Sequence, residues 1–141
     1  MKLHKLCWMF RKQRRGVAVV EFAIVAPVFI MLIFGMVEFG RLVMVQQVLT
    51  NASREGARRA VLDGATTAEV EATVETYLQS GAVSGADVTV TPDPPANAGS
   101  GEPVTVSVSI PFSQVSWIAS PMFLGGTQMQ AATVMRRESV E

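Results

Sequence analysis

The chain has 141 residues, of which 49% are hydrophobic and 17% charged, so it is the length of one small domain and too apolar to be disordered throughout. Its net charge of zero hides an uneven distribution: residues 1–16 carry six cations and no acid, whereas residues 17–141 carry the other six cations and all twelve acids. The single cysteine, Cys7, excludes an internal disulfide, and the single histidine, His4, excludes a multi-histidine metal centre.

Residues 17–37 form an apolar run whose only charged residue is Glu21. A helix of this length crosses about 30 Å of hydrocarbon. The run is longer than the apolar core of a secretory signal peptide, and no A-x-A-like cleavage site follows it. We therefore expect a transmembrane helix over 17–38. Pro27 removes one backbone hydrogen bond inside it and predicts a helix kink.

A basic leader, residues 1–16, precedes this run. The positive-inside rule places such a leader in the cytoplasm, and the remainder of the chain then lies beyond the inner membrane. The cations nearest the apolar run, which we expect to set this topology, are Arg11, Lys12, Arg14 and Arg15.

The helical pattern of apolar residues continues beyond the membrane-spanning run. A stripe at spacings of three, four or their multiples comprises Leu42, Val45, Leu49, Ala52 and Ala60. The pair Asp63-Gly64 predicts the end of the helix, because glycine readily adopts a left-handed conformation. We expect one helix over 17–62, with residues 39–64 as its extramembrane continuation.

Charged residues cluster near the end of this helix. Glu55 can pair with Arg58 and Arg59, which lie three and four positions further on. Together with Arg54, these residues are either a contact for a partner protein or a solvated helix face, and the sequence leaves both interpretations open. Gly56 either allows another element to approach closely or only lowers helix stability by about 1 kcal/mol relative to alanine.

The pattern of residues 65–141 predicts a small α+β domain, which we call the head. Thr66 or Thr67 is expected to cap a helix over 67–80, whose apolar face comprises Val70, Val74, Tyr77 and Leu78. Strands are expected over 87–91, 104–110 and 127–137, with a Pro- and Gly-rich loop over 92–103 and an irregular segment over 111–126. These elements predict a short antiparallel sheet of about three strands, whose order the sequence does not fix.

The core of this head must draw on other parts of the chain, because the sheet alone buries little apolar surface. We expect the extramembrane half of the long helix to complete it. Three aromatic residues of the irregular segment, Phe112, Trp117 and Phe123, are expected in the core rather than in an exposed interaction patch.

Glu21 disfavours membrane insertion of the apolar run, because an acidic group at the helix centre costs about 2.5–3.5 kcal/mol of insertion free energy. It lies near the cytoplasmic end, so its side chain can reach the headgroups. Alternatively, it pairs with a cation inside the membrane. Residue chemistry alone leaves both interpretations open.

The sequence R-R-G-V-A-V-V-E-F, residues 14–22, resembles the processing site of type IVb prepilins. The wider pattern over 14–38 is similar to the RRGxAxVEFAxxxPxxxxLxxGxxE motif of TadE-like pseudopilins from the tight-adherence (Flp) pilus system. A second box of that family, N-A-[AS]-R-E-G-A-R, occurs at 51–58, and a third, an A-[AT]-x-M-R-R-E-like end, at 131–138. The resemblance covers 17–62 and the tail, whereas residues 65–126 are similar only in architecture.

This resemblance implies a pilin-like fold and cleavage by a prepilin peptidase between Gly16 and Val17, with Glu21 and Phe22 in the processing and assembly motif. After cleavage, Glu21 of one subunit would meet the new Val17 amine of the next. The implied partners are the inner membrane, the peptidase, other pilin and pseudopilin subunits and the pilus assembly machinery. The head would be periplasmic or enter an extracellular pilus, as part of a minor subunit rather than the bulk fibre subunit.

Enzymatic activity is not expected, because the sequence contains no nucleotide-binding loop, nucleophile elbow or zinc-protease motif. No cofactor, metal or small-molecule substrate is expected. Nucleic-acid binding is not expected either, because six of the cations lie in the leader and the rest of the chain is acidic. The alternative to a pseudopilin is an uncleaved single-pass inner-membrane anchor whose periplasmic head binds a partner.

Overall fold

The computed structural model describes residues 3–118 and 124–137, with the backbone alone over 3–15. The first helix, α1, comprises Leu3–Ala60. It begins well before the predicted residue 17, because residues 3–15 contain neither glycine nor proline and are rich in good helix formers. It ends two residues before the predicted position, in a turn that leads to Gly64 with φ of 71°.

By its internal contacts the chain divides into two units, Met1–Val37 and Glu38–Glu141. The described part of the first unit is helical throughout, and the helix is unbroken at Pro27. Within Gly16–Ala60, an 18-residue window reaches a mean hydropathy of 2.7, and none of that window is buried. Among the described residues this is the one helix long and apolar enough to cross a membrane. The kink at Pro27 stays a prediction.

The second unit combines the later part of α1 with the elements predicted for the head. These are α2 over Thr67–Ser80, β1 over Asp87–Thr91, β2 over Pro103–Pro111, a four-residue helix α3 over Phe112–Val115, and β3 over Gln128–Arg136. A short 3-10 turn over Pro95–Asn97 lies in the loop before β2. The predicted α+β class is therefore confirmed.

The N-terminus of α2 is closed by a capping box. The Thr66 hydroxyl accepts a hydrogen bond from the backbone N–H of Glu69, and the Glu69 carboxylate accepts one from the backbone N–H of Thr66. These bonds satisfy two backbone donors that the helix itself cannot pair. Of the predicted apolar face, Val70, Val74 and Leu78 are buried. Tyr77 is 37% exposed, so its assignment to that face was wrong.

The three strands form an antiparallel meander in the order β1-β2-β3. At the centre of the sheet, Val106 of β2 lies opposite Val90 of β1 and Thr133 of β3. Side chains alternate across a strand, and one face of β2 is fully buried: Val104, Val106, Val108 and Ile110 each have no exposed surface.

The core lies between this face of the sheet and the helices α1 and α2. Val45, Leu49, Ala52 and Ala60 of the predicted α1 stripe are buried in it, and Leu42 packs against it half-buried. The expectation that α1 completes the core of the head is therefore confirmed.

Two glycines mark places where the backbones approach too closely for a side chain. A Cβ atom at Gly56 of α1 would lie 2.5 Å from Cγ2 of Val74 in α2 and 3.1 Å from Cγ1 of Val106 in β2. A Cβ atom at Gly81, after α2, would lie 2.7 Å from Val48 of α1. Of the two interpretations of Gly56, close approach is the one the packing supports.

Candidate functional site

The residues of the predicted processing site lie on a single exposed stretch of α1. Val17 is 67% exposed and Phe22 is 72% exposed, and Glu21 is exposed as well. A Cβ atom at Gly16 would meet no atom within 4 Å. The described part of the first unit therefore leaves this stretch accessible to another protein or to lipid.

Glu21 lies four residues after Val17, one helical turn further along α1. None of the ion pairs among the described side chains involves Glu21. Leader cations Arg11, Lys12, Arg14 and Arg15 lie in the stretch whose side chains are outside the described part, so their topological role stays a prediction.

The charged cluster near the end of α1 is largely engaged within the chain. Arg58 binds the Glu55 carboxylate at 2.9 Å, and this hydrogen bond and charge raise the pKa of the Arg58 guanidinium. Arg59 does not pair with Glu55 as predicted; it binds Glu69 of α2 at 2.9 Å, because the core packing places α2 beside the last turn of α1. Arg54 is exposed.

Sequence reasoning missed two buried ionisable side chains at the start of the second unit, which do not pair with each other. Glu38 is only 2% exposed, and neither of its carboxylate oxygens has a hydrogen-bond partner among the described residues. Arg41, one turn later, is 5% exposed. Its Nε donates to the Val115 carbonyl at 2.9 Å and its Nη2 to the Ala82 carbonyl at 3.0 Å. The sequence signal was an acid and an arginine three residues apart, directly after the apolar run.

The aromatic residues of the segment after β2 do not behave alike. Phe112 of α3 is fully buried, as expected. Trp117 is 67% exposed, so its assignment to the core was wrong. Its ring lies 4.9 Å from the Arg41 guanidinium carbon, a cation–π distance. The chain leaves the core after Val115, at the C-terminus of α3. Phe123 lies outside the described residues.

The arginine at the end of the third box has a structural role. Arg137 donates to the carbonyls of Ala96 and Ala98 and forms an ion pair with Asp63 at 3.1 Å. Its backbone also bonds Glu102 and Gly101. One side chain thus ties the end of β3 to the loop before β2 and to the turn after α1.

The buried carboxyl group of Glu38, which has no hydrogen-bond partner among the described residues, is expected to lower the stability of the second unit. A buried polar group without a partner costs about 1–3 kcal/mol, and an apolar residue of similar volume removes that cost. We expect Glu38→Leu to raise the free energy of unfolding of the second unit by about 1–3 kcal/mol. Pulse proteolysis of the full chain in detergent across a urea series measures this change.

Glu71→Leu, at an exposed position of α2, is the matched control and should change stability by less than about 0.5 kcal/mol. A loss of stability in Glu38→Leu would mean that the carboxylate has a partner in the folded chain, and the prediction would then be wrong. A gain would indicate that Glu38 is retained for a purpose other than stability.

No group of three or more metal-ligating side chains is found within residues 16–118 and 124–137, where the structure describes side chains. An open groove of about 300 Å³ between α2 and β1 is lined by Glu71, Glu75 and Asp87, among others. Nothing in it points to a ligand, because carboxylates spaced along a solvent-exposed surface are ordinary.

Comparison with known proteins gives one match. A family model described as TadE-like protein matches residues 16–58. No curated protein and no solved structure matches the chain. The family resemblance expected from the motifs is therefore confirmed over this segment, which contains Gly16, Val17, Glu21 and Phe22 of the processing site, Glu38, Arg41 and all of the charged cluster except Arg59.

Proposed function

Because residues 16–58 match the TadE-like family, we propose that the chain is a minor pilin or pseudopilin needed for assembly of a tight-adherence (Flp, type IVb) pilus. We further propose that a prepilin peptidase matures it by cleavage between Gly16 and Val17. The family match is the observation that carries this proposal. An apolar helix with no buried residue in its most hydrophobic window supports it, because such a surface requires lipid or other helices around it.

The chemistry of the cleavage site fits this role. Glycine presents no side chain at position 16, so the backbone can enter a narrow peptidase cleft. Cleavage creates a positively charged amine on Val17, and Glu21 lies one turn along the same helix. In a staggered assembly, Glu21 of one subunit pairs with the Val17 amine of the next. That pairing offsets the cost of placing an acid in the membrane.

The proposed topology follows from charge and hydropathy. The leader cations keep residues 1–16 in the cytoplasm, residues 17–38 cross the inner membrane, and residues 39–141 lie on the periplasmic side. The exposed apolar faces of the span are then the surface that packs against other pilin helices. Arg54 is the member of the charged cluster best placed to contact a partner protein, because its neighbours are engaged within the chain.

The second candidate function is an uncleaved single-pass anchor whose head binds a partner in the periplasm. The same apolar helix and the same head serve this function. The two candidates differ at Gly16, because an uncleaved anchor has no need for a residue without a side chain there.

The intact mass of the chain, measured from cell membranes with and without a prepilin peptidase, distinguishes the two. We expect a chain of residues 17–141 when the peptidase is present and the full-length chain when it is absent. A full-length chain under both conditions would contradict the pseudopilin proposal and favour the uncleaved anchor.

A further inference from the structure

Trp117 is a large apolar side chain that the second unit leaves exposed and holds in a defined position. Its ring lies 4.9 Å from the Arg41 guanidinium, and Arg41 is in turn fixed by the carbonyls of Val115 and Ala82. Phe112 and Val115, buried in the core, fix the short helix that precedes Trp117. The ring is therefore held in place although it is 67% exposed.

Arg41, which the ring contacts, lies close to the end of the apolar run. Arg41 follows Val37, the last residue of the apolar run, by four residues, or about 6 Å of helix at 1.5 Å per residue. The headgroup layer on each side of the hydrocarbon is roughly 5–8 Å thick. If residues 17–37 cross the membrane, α1 places the backbone of Arg41 within this layer, and the Trp117 ring contacts the guanidinium of that residue.

We propose that Trp117 is an interfacial anchor, which inserts into the headgroup layer of the membrane that the chain's own apolar helix crosses. An indole ring has an apolar body and one N–H donor, and this combination favours the boundary between headgroups and acyl chains. Met44 adds apolar surface beside Arg41: its sulfur lies 3.7 Å from Nη1, and Met44 is 46% exposed.

A lipid surface accounts for these observations better than a protein partner does. Every copy of the chain that crosses the membrane meets the headgroup layer near Arg41. A protein partner would instead need a complementary surface at the same distance from the bilayer. Arg41 is only 5% exposed and donates to two backbone carbonyls and to the Met44 sulfur, so the patch presents an apolar ring rather than an exposed charge. The inference rests on the proposed membrane span, and the test therefore examines the span separately.

The test uses the fluorescence of Trp117. The chain contains two tryptophans, so Trp8→Phe in the full chain leaves Trp117 as the sole emitter. This variant is reconstituted in vesicles of phosphatidylethanolamine and phosphatidylglycerol whose acyl chains are brominated either near the headgroup or near the bilayer centre. We expect a blue-shifted emission, with a larger loss of fluorescence for bromine near the headgroup than for bromine near the centre.

A second variant reports on the span itself. Trp8→Phe, Trp117→Phe and Phe29→Trp together place the sole tryptophan in the middle of the apolar run, where bromine near the bilayer centre should quench most. If this variant is quenched and Trp117 is not quenched by either lipid, the interfacial anchor is overturned while the span stands. If neither variant is quenched, the proposed span fails, and the anchor fails with it.

Discussion

Gly16→Val should leave the chain at its full-length mass in membranes that contain a prepilin peptidase, under conditions in which the unsubstituted chain loses residues 1–16. The added isopropyl group would have to enter the cleft that receives the residue before the cleaved bond. The folded chain tolerates the change, because a Cβ atom at Gly16 meets nothing within 4 Å. Failure of cleavage would therefore show that the peptidase does not accept valine at position 16, and not that the chain has misfolded.

Gly40→Val provides the matched control. Gly40 is an exposed glycine of the same helix, and a Cβ atom there also meets nothing within 4 Å. This variant should be cleaved normally. A shortened chain in Gly16→Val would contradict the proposed processing site. Loss of cleavage in both variants would mean that valine disturbs the helix in general and not the cleavage site in particular.

A substitution at Glu21 tests assembly of the pilus separately from insertion of the helix into the membrane. Glu21→Ala should still insert into the membrane, since it removes the one charge of the apolar run. It should give fewer pili, because the Val17 amine of the neighbouring subunit then has no partner. Pili at normal number in both Gly16→Val and Glu21→Ala would refute the pseudopilin mechanism.

Gly56→Val should destabilise the second unit by about 2 kcal/mol or more. The first atom of the new side chain would already lie 2.5 Å from Val74 and 3.1 Å from Val106, both fully buried in the core. The gain in helix propensity over glycine is below about 1 kcal/mol and does not offset this overlap. Pulse proteolysis of the full chain in detergent across a urea series gives the change in unfolding free energy.

A compensating pair of substitutions makes this prediction specific. Gly56→Ala should also lower stability, whereas Gly40→Ala should hold or raise it, because only helix propensity changes there. Adding Val74→Ala to Gly56→Ala makes room for the new methyl group, so the double variant should lose less stability than the sum of the two single changes. Simple additivity, or an unchanged Gly56→Val, would contradict the close packing of α1 on α2.

Elements with strong local patterns were predicted closely. The alternation of Val104, Val106 and Val108 located β2 to within one residue at each end, and the threonines before α2 located its cap. These features depend on neighbours within a few residues, where the periodicity of side chains decides the structure. The apolar stripe of α1 was predicted for the same reason.

Features that depend on distant parts of the chain were missed. The partner of Arg59 is Glu69, and Arg41 bonds a carbonyl 74 residues away, so neither contact has a local signature. Trp117 was placed in the core on its residue type alone, but Arg41 and the short helix α3 hold it outside. The burial of Glu38 was also missed, because its spacing from Arg41 does not show which residues cover the carboxyl group.

The meander order of the sheet has a kinetic consequence. β1 pairs with β2 and β2 with β3, so each strand finds its partner in the strand that follows it in sequence. Local pairing of this kind speeds folding, because little loop entropy is lost before contacts form. Contacts between distant parts of the chain include those of α1 with β3, where the Gln46 side chain donates to the Gln130 carbonyl and the Ser53 and Thr133 hydroxyls share a hydrogen bond. We therefore expect the sheet to assemble first and its docking onto α1 to complete folding.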